Sequence, residues 1–421
     1  MHELRDYQMQ GAEKMASQEA TLLADEMGLG KTAQAIEVIN ITEPKTVLIV
    51  CPASLKHNWK EELEKWLLWP SYKIGIVNGN TVPKGCDILI INYDILDRHT
   101  PIVCDLLIAD EVHYAKNPFA IRTKALTWVQ VKRRILITGT PIYNRPLCLW
   151  PILYMLDPAR WGSYNAYGRE YCDGKFYGDE WDFRGASNLD RLRGEIQPYL
   201  IRRKKKDYLT ELPAKVRNVI QVDLKRTENF RGMSSWKDLS DSQFMEKLQS
   251  FDDAGNFGAA SLEDIARVRH ETALRKVPAV IELINNIMDA GEKVVVFAWH
   301  VDILQILYDE YKEVCVGITG KTPVDRRQEF VHRFQGSPSC RVFLGQMKAA
   351  GVGLTLTAAH QVVFVELPWT PGEVTQAEDR CHRLGQRNVV VVNHVVGKDT
   401  FDHRMARGIV KKQNVIDGVF D

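Results

Sequence analysis

Short runs of apolar, largely β-branched residues recur along the chain, separated by segments long enough for a helix. In the first half they predict strands at Leu22–Ala24, Val47–Cys51, Ile74–Val77, Ile88–Ile91, Leu106–Ala109 and Ile135–Thr138. A second set follows at Val294–Ala298, Val314–Ile318, Arg341–Leu344, Val362–Glu366 and Val389–His394. The runs are continuous rather than alternating, which indicates strands buried on both faces. Their alternation with helices joins them in parallel. In such a sheet, functional groups gather beyond the carboxyl ends of the strands. Leu4–Met15 reads as a helix, and Trp59, Leu63 and Trp66, at i, i+4 and i+7, read as the core stripe of another.

Between the two sets the pattern breaks. Residues 146–200 mix aromatics, glycines and charges without period 2, and read as a partly helical elaboration of the first domain. Glu211-Leu212-Pro213 marks a boundary, so the expected domains are 1–212 and 213–421. The second carries an insertion over 226–275, polar and exposed from Phe230 to Phe257. Within it, Ser261 to Asp264 has the pattern of a capping box, and Pro278 kinks the helix that follows or starts a new one.

Composition changes this picture little. A chain of 421 residues has room for two or three domains, and 45% hydrophobic with 26% charged residues is ordinary for a globular protein. A formal net charge of +1 excludes a polycation, so any nucleic-acid site must be a local basic track. The run Arg202–Lys206 is a nuclear-targeting signal, a nucleic-acid contact or a merely solvated charge run. Eight scattered cysteines without a C-x-x-C pair point to a reducing compartment, not to a zinc site or disulfide framework. The polar N-terminus lacks a signal-peptide core, and the absence of any run of about 18 apolar residues predicts no membrane span.

The candidate chemistry starts at Thr21–Thr32, TLLADEMGLGKT, a strand, a glycine turn and a helix start. Gly28 and Gly30 allow a tight turn, Lys31 adds an ammonium and Thr32 a hydroxyl for Mg²⁺, the pattern of a phosphate-binding loop. Asp25 stands where the strict pattern has glycine; alone, the stretch is also compatible with a solvated turn. Gln8 is either an adenine reader or a surface glutamine. Asp110 and Glu111, at the end of a strand, suit a Mg²⁺-side acid and a residue that polarises water, or else form a surface pair. Ser54, Lys56 and Asn58 open a helix and suit a nucleic-acid phosphate. Gln376, Arg380 and Arg383 fall on one face of a predicted helix, either reaching a phosphate or forming a salt-bridged surface.

In order, LRDYQ, DEMGLGKT, CPASLKHNW, DEVH, LITGTP, FAWH, GITG, KAAGVGLTLTAA and QAEDRCHRLGQ resemble the motif set of the Swi/Snf-type ATPases of helicase superfamily 2, which are double-stranded DNA translocases. The resemblance spans Leu4 to about Val419, and its last motifs are nearest to the HARP-like annealing-helicase branch. It implies two RecA-like parallel-sheet lobes with an ATP cleft between them. It assigns adenine to Gln8, phosphates and Mg²⁺ to Gly28, Gly30, Lys31 and Thr32, metal-side acidity to Asp110 and the catalytic base to Glu111. Arg380 and Arg383 become arginine fingers with Gln376 beside them, and Ser54, Lys56, Asn58, Thr140 and Lys348 line a DNA groove. Thr355, His360 and Ala350 depart from the asparagine, acidic residue and glycine usual in the family, and touch the motif that couples the lobes.

The expected activity is a DNA-dependent, Mg²⁺-requiring ATPase that translocates on duplex DNA, forked or branched forms included, and remodels DNA or protein–DNA complexes. A strand-separating DNA or RNA helicase and an ATP-gated clamp are the alternatives. A bare monomeric motor is expected, soluble and intracellular with the DNA in a bacterial or virus-infected host cytoplasm or a nucleus, targeted by a protein partner.

Overall fold

The computed structural model describes residues 3–139, 145–224, 259–350, 354–368, 370–398 and 400–420. The chain divides into two compact units, one of residues 1–210 together with 415–421, the other of residues 211–414. Each is an α/β unit around a parallel sheet, the RecA-like architecture expected from the alternating pattern.

The first unit holds β1 (Ala20–Leu23), β2 (Val47–Cys51), β3 (Ile74–Ile76), β4 (Ile88–Asn92), β5 (Val103–Asp110) and β6 (Gln130–Ile137). A short antiparallel hairpin, β7 (Lys175–Tyr177) and β8 (Glu180–Asp182), stands apart, and β9 (Leu200–Ile201) returns to the main sheet. The main sheet runs β3-β4-β2-β5-β6-β1-β9 with every pairing parallel. All five residues of β2 are buried, as a strand covered on both faces requires. Strands β5 and β6 start well before their apolar runs. Backbone pairing begins at Val103↔Gln130, and the polar residues there point outward, as where Lys132 meets Asp105 at 2.7 Å. Helices 150–156, 158–161, 164–171 and 189–196 fill the elaboration. Its Trp161, Tyr167, Tyr171 and Phe183 share one core with Leu22 and Leu136.

The second unit holds β10 (Lys215–Val222), β11 (Val294–Ala298), β12 (Cys315–Ile318), β13 (Val342–Gln346), β14 (Gln361–Phe364) and β15 (Val390–Gly397), in the parallel order β10-β15-β14-β11-β13-β12. The polar edge strand β10 carries no apolar run, so the hydrophobic pattern misses it. It forms because eight residues pair in register with β15, from Lys215↔Val390 to Val222↔Gly397. Residues 226–258 of the expected insertion lie outside the described residues. Residues 259–275 begin one helix, Ala259–Asp289, which continues through Pro278 and does not restart there. From Val268 onward that helix belongs to the core, with Val280 and Ile284 fully buried. Lys276, also fully buried, donates to the Val395 carbonyl at 2.9 Å and pairs with Asp402. No helix among the described residues is long and apolar enough to cross a membrane.

Candidate nucleotide site

Strand β1 delivers the chain into Asp25–Gly30. Gly28 (φ 86°) and Gly30 (φ 74°) both take left-handed backbone, and Gly30 leads straight into the helix Lys31–Thr42. A Cβ on Gly30 would lie 2.1 Å from Gln8 Nε2, so only glycine lets the glutamine amide rest on the turn. The Leu29 carbonyl accepts from Tyr7 Oη (3.3 Å), Gln8 Nε2 (3.2 Å) and Gln34 Nε2 (3.2 Å), which ties the N-terminal helix 6–17 to the loop. Lys31 Nζ donates to the carbonyls of Asp25 (2.8 Å) and Glu26 (3.3 Å). Burial lowers its pKa, against the pull of Glu111, Asp25 and Asp110. Thr32 stands one residue into the helix, half-buried.

Asp25 is neither a defect in the loop nor a ligand-facing group. Its fully buried carboxylate accepts from Gln34 Nε2 at 3.1 Å and Arg203 Nη1 at 3.2 Å. Burial pushes its carboxyl up, and Arg203 opposes that most strongly. Arg203 comes from the basic run. Parallel pairing of β9 with β1 carries Arg202 and Arg203 past the phosphate loop. There Arg202 Nη1 donates to the Ala24 carbonyl at 2.7 Å, and the Lys205 amide donates to Glu26 Oε2 at 2.7 Å. Arg202, Arg203 and Lys205 of a run that reads as targeting, nucleic-acid contact or solvated charge are thus tied to the loop. The pairing that puts them there spans two residues of β9, too few to register as a strand in the hydrophobic pattern.

Asp110 ends β5, and Glu111 follows in left-handed backbone (φ 52°), a strained conformation that recurs at functional sites. Trp59 Nε1 donates to Asp110 Oδ2 at 2.9 Å, and Tyr93 Oη donates to the Asp110 carbonyl at 2.7 Å. Burial, then the adjacent Glu111, push the Asp110 carboxyl up to about 6, against the Trp59 hydrogen bond and Lys31. His113 Nδ1 lies 3.2 Å from both Glu111 Oε2 and Thr138 Oγ1, which joins the acidic pair to the end of β6. A Cβ on Gly139 would lie 3.4 Å from Lys31 Nζ, so that strand end also abuts the loop. The structure therefore gathers Gln8, Gly28, Gly30, Lys31, Asp110 and Glu111 in one unit. Trp59 and Tyr93 are positioning groups that sequence reasoning missed; the i, i+4, i+7 stripe signalled burial of Trp59 and not its polar edge.

The candidate DNA contacts fare differently. Ser54 is exposed and Asn58 half-buried at the start of the helix Lys56–Trp66. Lys56 is buried, and its ammonium donates to the Val77 carbonyl and to Asn78 Oδ1, each at 3.0 Å. Thr140 lies outside the described residues. Lys348 lies in the short helix Met347–Ala350 after β13.

In the second unit the single helix face is also corrected. The helix Pro371–Glu378 holds Gln376 but ends before both arginines. The next residues tighten into turns, Arg380 N donating to the Ala377 carbonyl and His382 N to that of Glu378, both at 3.2 Å. These turns still converge the arginines: Arg380 Nη1 (3.4 Å) and Arg383 Nη1 (3.2 Å) donate to the same Leu354 carbonyl. Glu378 anchors the arrangement. It is fully buried, paired with Lys215 (2.8 Å) and Arg217 (2.7 Å) on β10 and near His394 (3.7 Å). Burial raises its pKa, but His394, Lys215 and Arg217 together hold the carboxyl well below its ordinary value. Two departures from the family pattern find local partners. Ala350 is buried against Gly345, and His360 pairs with Glu292 at 3.2 Å.

The SNF2-related domain family matches residues 7–253, and the helicase conserved C-terminal domain matches residues 275–385. The DNA annealing helicase and endonuclease ZRANB3 of Mus musculus is 37% identical over 419 residues, covering 94% of this chain and 38% of the relative. A SWI/SNF-related matrix-associated actin-dependent regulator of chromatin subfamily A-like protein 1 from Xenopus tropicalis is 33% identical, covering 98% of this chain and 44% of the relative. The chain thus spans about two-fifths of the length of these curated relatives. Among solved structures, the Sulfolobus solfataricus SWI2/SNF2 ATPase core in complex with dsDNA is 25% identical, with a TM-score of 0.48, covering 99% of this chain and 92% of that one. The first of these families covers more than half of the sequence, and the chain belongs to the SNF2-related family.

Proposed function

We propose that the chain is a DNA-dependent ATPase that translocates on double-stranded DNA and remodels DNA or protein–DNA complexes. One observation carries the reading: a glycine turn with Lys31 stands beside Asp110 and Glu111 in the first unit, while Arg380 and Arg383 converge in the second. Gln8 reads the adenine, and Gly28, Gly30, Lys31 and Thr32 take the phosphates. The chemistry of the donors fits a hard divalent cation. Asp110 offers a carboxylate crowded by Glu111, and Thr32 a hydroxyl one residue after Lys31. Thr32 and Asp110 would hold Mg²⁺, which when bound neutralises phosphate charge. Glu111 orients and polarises the attacking water. Arg380 and Arg383, with Gln376 beside them, meet the charge that develops on the transferred phosphoryl group. Finger arginines of this kind are worth about 10³–10⁵ in rate in related systems.

Ser54, Asn58, Thr140 and Lys348 contact DNA phosphates, which hold the motor on the duplex without reading sequence. Likeness to proteins named as DNA annealing helicases supports DNA as the substrate, and the proposal includes forked or branched duplex. The motor acts as a monomer, intracellularly with the DNA, and a protein partner supplies targeting.

The test is steady-state ATP hydrolysis without nucleic acid and with single-stranded, duplex and forked DNA or duplex RNA, using Lys31→Ala as the blank. Stimulation by duplex or forked DNA, lost in the blank, is the expected result. Stimulation by single strands or RNA alone would point to a strand-separating helicase. DNA binding gated by nucleotide, with no stimulated turnover, would point to a clamp.

A further inference from the structure

Arg203 touches every part that separates the base-reading helix from the phosphate turn. Its Nη1 donates to Asp25 Oδ2 (3.2 Å) at the start of the loop and to Gln34 Oε1 (3.1 Å) on the helix after it. Its guanidinium lies 5.5 Å from the centre of the Tyr7 ring on the helix 6–17. Its carbonyl accepts from the Glu26 amide at 3.0 Å, so its backbone is tied to the loop as well. The Gln34 amide that Arg203 holds donates through Nε2 to the Leu29 carbonyl, the same oxygen that Gln8 and Tyr7 address. Glycine at residue 11 leaves room for this arrangement. A Cβ there would lie 2.2 Å from Gln34 Oε1 and 2.9 Å from Arg203 Nη2.

From these contacts we infer that Arg203 is a positioning residue for base selection: it fixes Gln8 relative to the phosphate-binding turn, so that the adenine and the triphosphate of one nucleotide are met together. This rests on the assignment of Gln8 as the base reader. The geometry explains why an arginine is needed. One guanidinium nitrogen, Nη1, bridges the Asp25 carboxylate and the Gln34 amide while the planar face of the group covers the Tyr7 ring. A lysine ammonium can neutralise Asp25 but has no planar face to lay on that ring. The residue touches no reacting atom, and its effect belongs in recognition of the base, not in the chemical step.

The experiment measures binding of ATP, GTP and inorganic tripolyphosphate to the full chain, by competition with a fluorescent ATP analogue. It compares the wild type with Arg203→Gln, Arg203→Lys and Gly11→Ala. Gly11→Ala displaces the ends of two flexible side chains and improves helix propensity, so it perturbs the clasp without removing the buried ion pair. In Arg203→Gln and Gly11→Ala, ATP affinity is expected to fall about tenfold, the worth of one well-placed hydrogen bond. Affinity for GTP and tripolyphosphate stays near wild type, so the ATP-over-GTP preference collapses, and Arg203→Lys falls between. An equal loss for all three ligands overturns the inference, because Arg203 then supports only the phosphate turn. An unchanged ATP-over-GTP ratio in Gly11→Ala overturns it too, even if Arg203→Gln fails to fold. A wild type that binds GTP as tightly as ATP instead overturns base reading by Gln8, a result distinguishable before any variant is made.

Discussion

Glu111 sits one residue past the end of β5, and its left-handed backbone turns the chain so that two successive carboxylates serve different partners. Asp110 is gripped by Trp59 and Tyr93, while Glu111 faces His113. Glu111→Gln keeps the shape and removes the base. Hydrolysis should fall by about 10²–10⁴-fold, the usual range for a general base, with duplex binding retained. Parallel measurements of turnover and DNA affinity check this, and normal turnover would remove Glu111 from its role. Glu378 makes a separate prediction about stability. Its folded carboxyl lies below the ordinary glutamate value of 4.5, so it binds its proton less readily folded than unfolded. Its contribution is complete above that value and is lost as pH falls through the depressed folded one. Glu378→Gln should cost about 3 kcal/mol near neutral pH, because Lys215 and Arg217 lose their buried partner. In urea unfolding followed against pH, the gap between wild type and variant should narrow below about pH 4.5; a gap independent of pH would show that the ion pairs are not what Glu378 contributes.

Among the elements, the short ones decide where chemistry is placed. Strand β9 is two residues long, yet its pairing with β1 aligns the Arg202–Lys205 segment with the phosphate loop. Strand β10 lacks an apolar run, yet it presents Lys215 and Arg217 to Glu378 and so anchors the turn bearing Arg380 and Arg383. Strand β13 shows the same economy of space. A Cβ on its Gly345 would come within 2.9 Å of both Ala350 Cβ and Phe297 Cε1. The alanine that departs from the family pattern is thus accommodated by a glycine on the neighbouring strand. Gly345→Ala should destabilise the second unit by about 1–3 kcal/mol through overpacking, seen as a lower melting temperature. The double variant Gly345→Ala with Ala350→Gly should recover part of the loss, and its failure to do so would place the strain against Phe297 alone.

For the whole molecule, a formal net charge of +1 gives no general attraction for DNA, so binding must come from local contacts. Each phosphate neutralised by a lysine or arginine contributes about −0.9 to the slope of log affinity against log salt on duplex DNA. Lys56 faces inward onto Val77 and Asn78, and should contribute nothing to that slope. Lys56→Ala should leave the salt dependence of duplex binding unchanged while lowering stability by about 1–3 kcal/mol, because the buried Val77 carbonyl loses a donor. A slope shallower by about one charge would return Lys56 to the DNA groove.

The two parallel sheets and the order of the motifs on them are legible along the chain. Both are written locally: continuous apolar runs mark doubly covered strands, and a glycine turn before Lys31 marks a phosphate loop wherever it lies. The sequence also places Asp110 and Glu111 at a strand end, because an apolar run that stops at two carboxylates is visible along the chain. Which charges face inward is settled by folding, not by residue type. Lys56, Arg203, Lys276 and Glu378 read as surface residues by type, and are buried or nearly so because a partner distant in sequence satisfies each of them. The one-sided helix expected to bear Gln376, Arg380 and Arg383 stops at Glu378, and turns bring the two arginines onto the Leu354 carbonyl instead. Hydrophobic periodicity records how much of each residue is covered, whereas the choice of ion pair depends on which strands lie side by side, a property of the whole sheet.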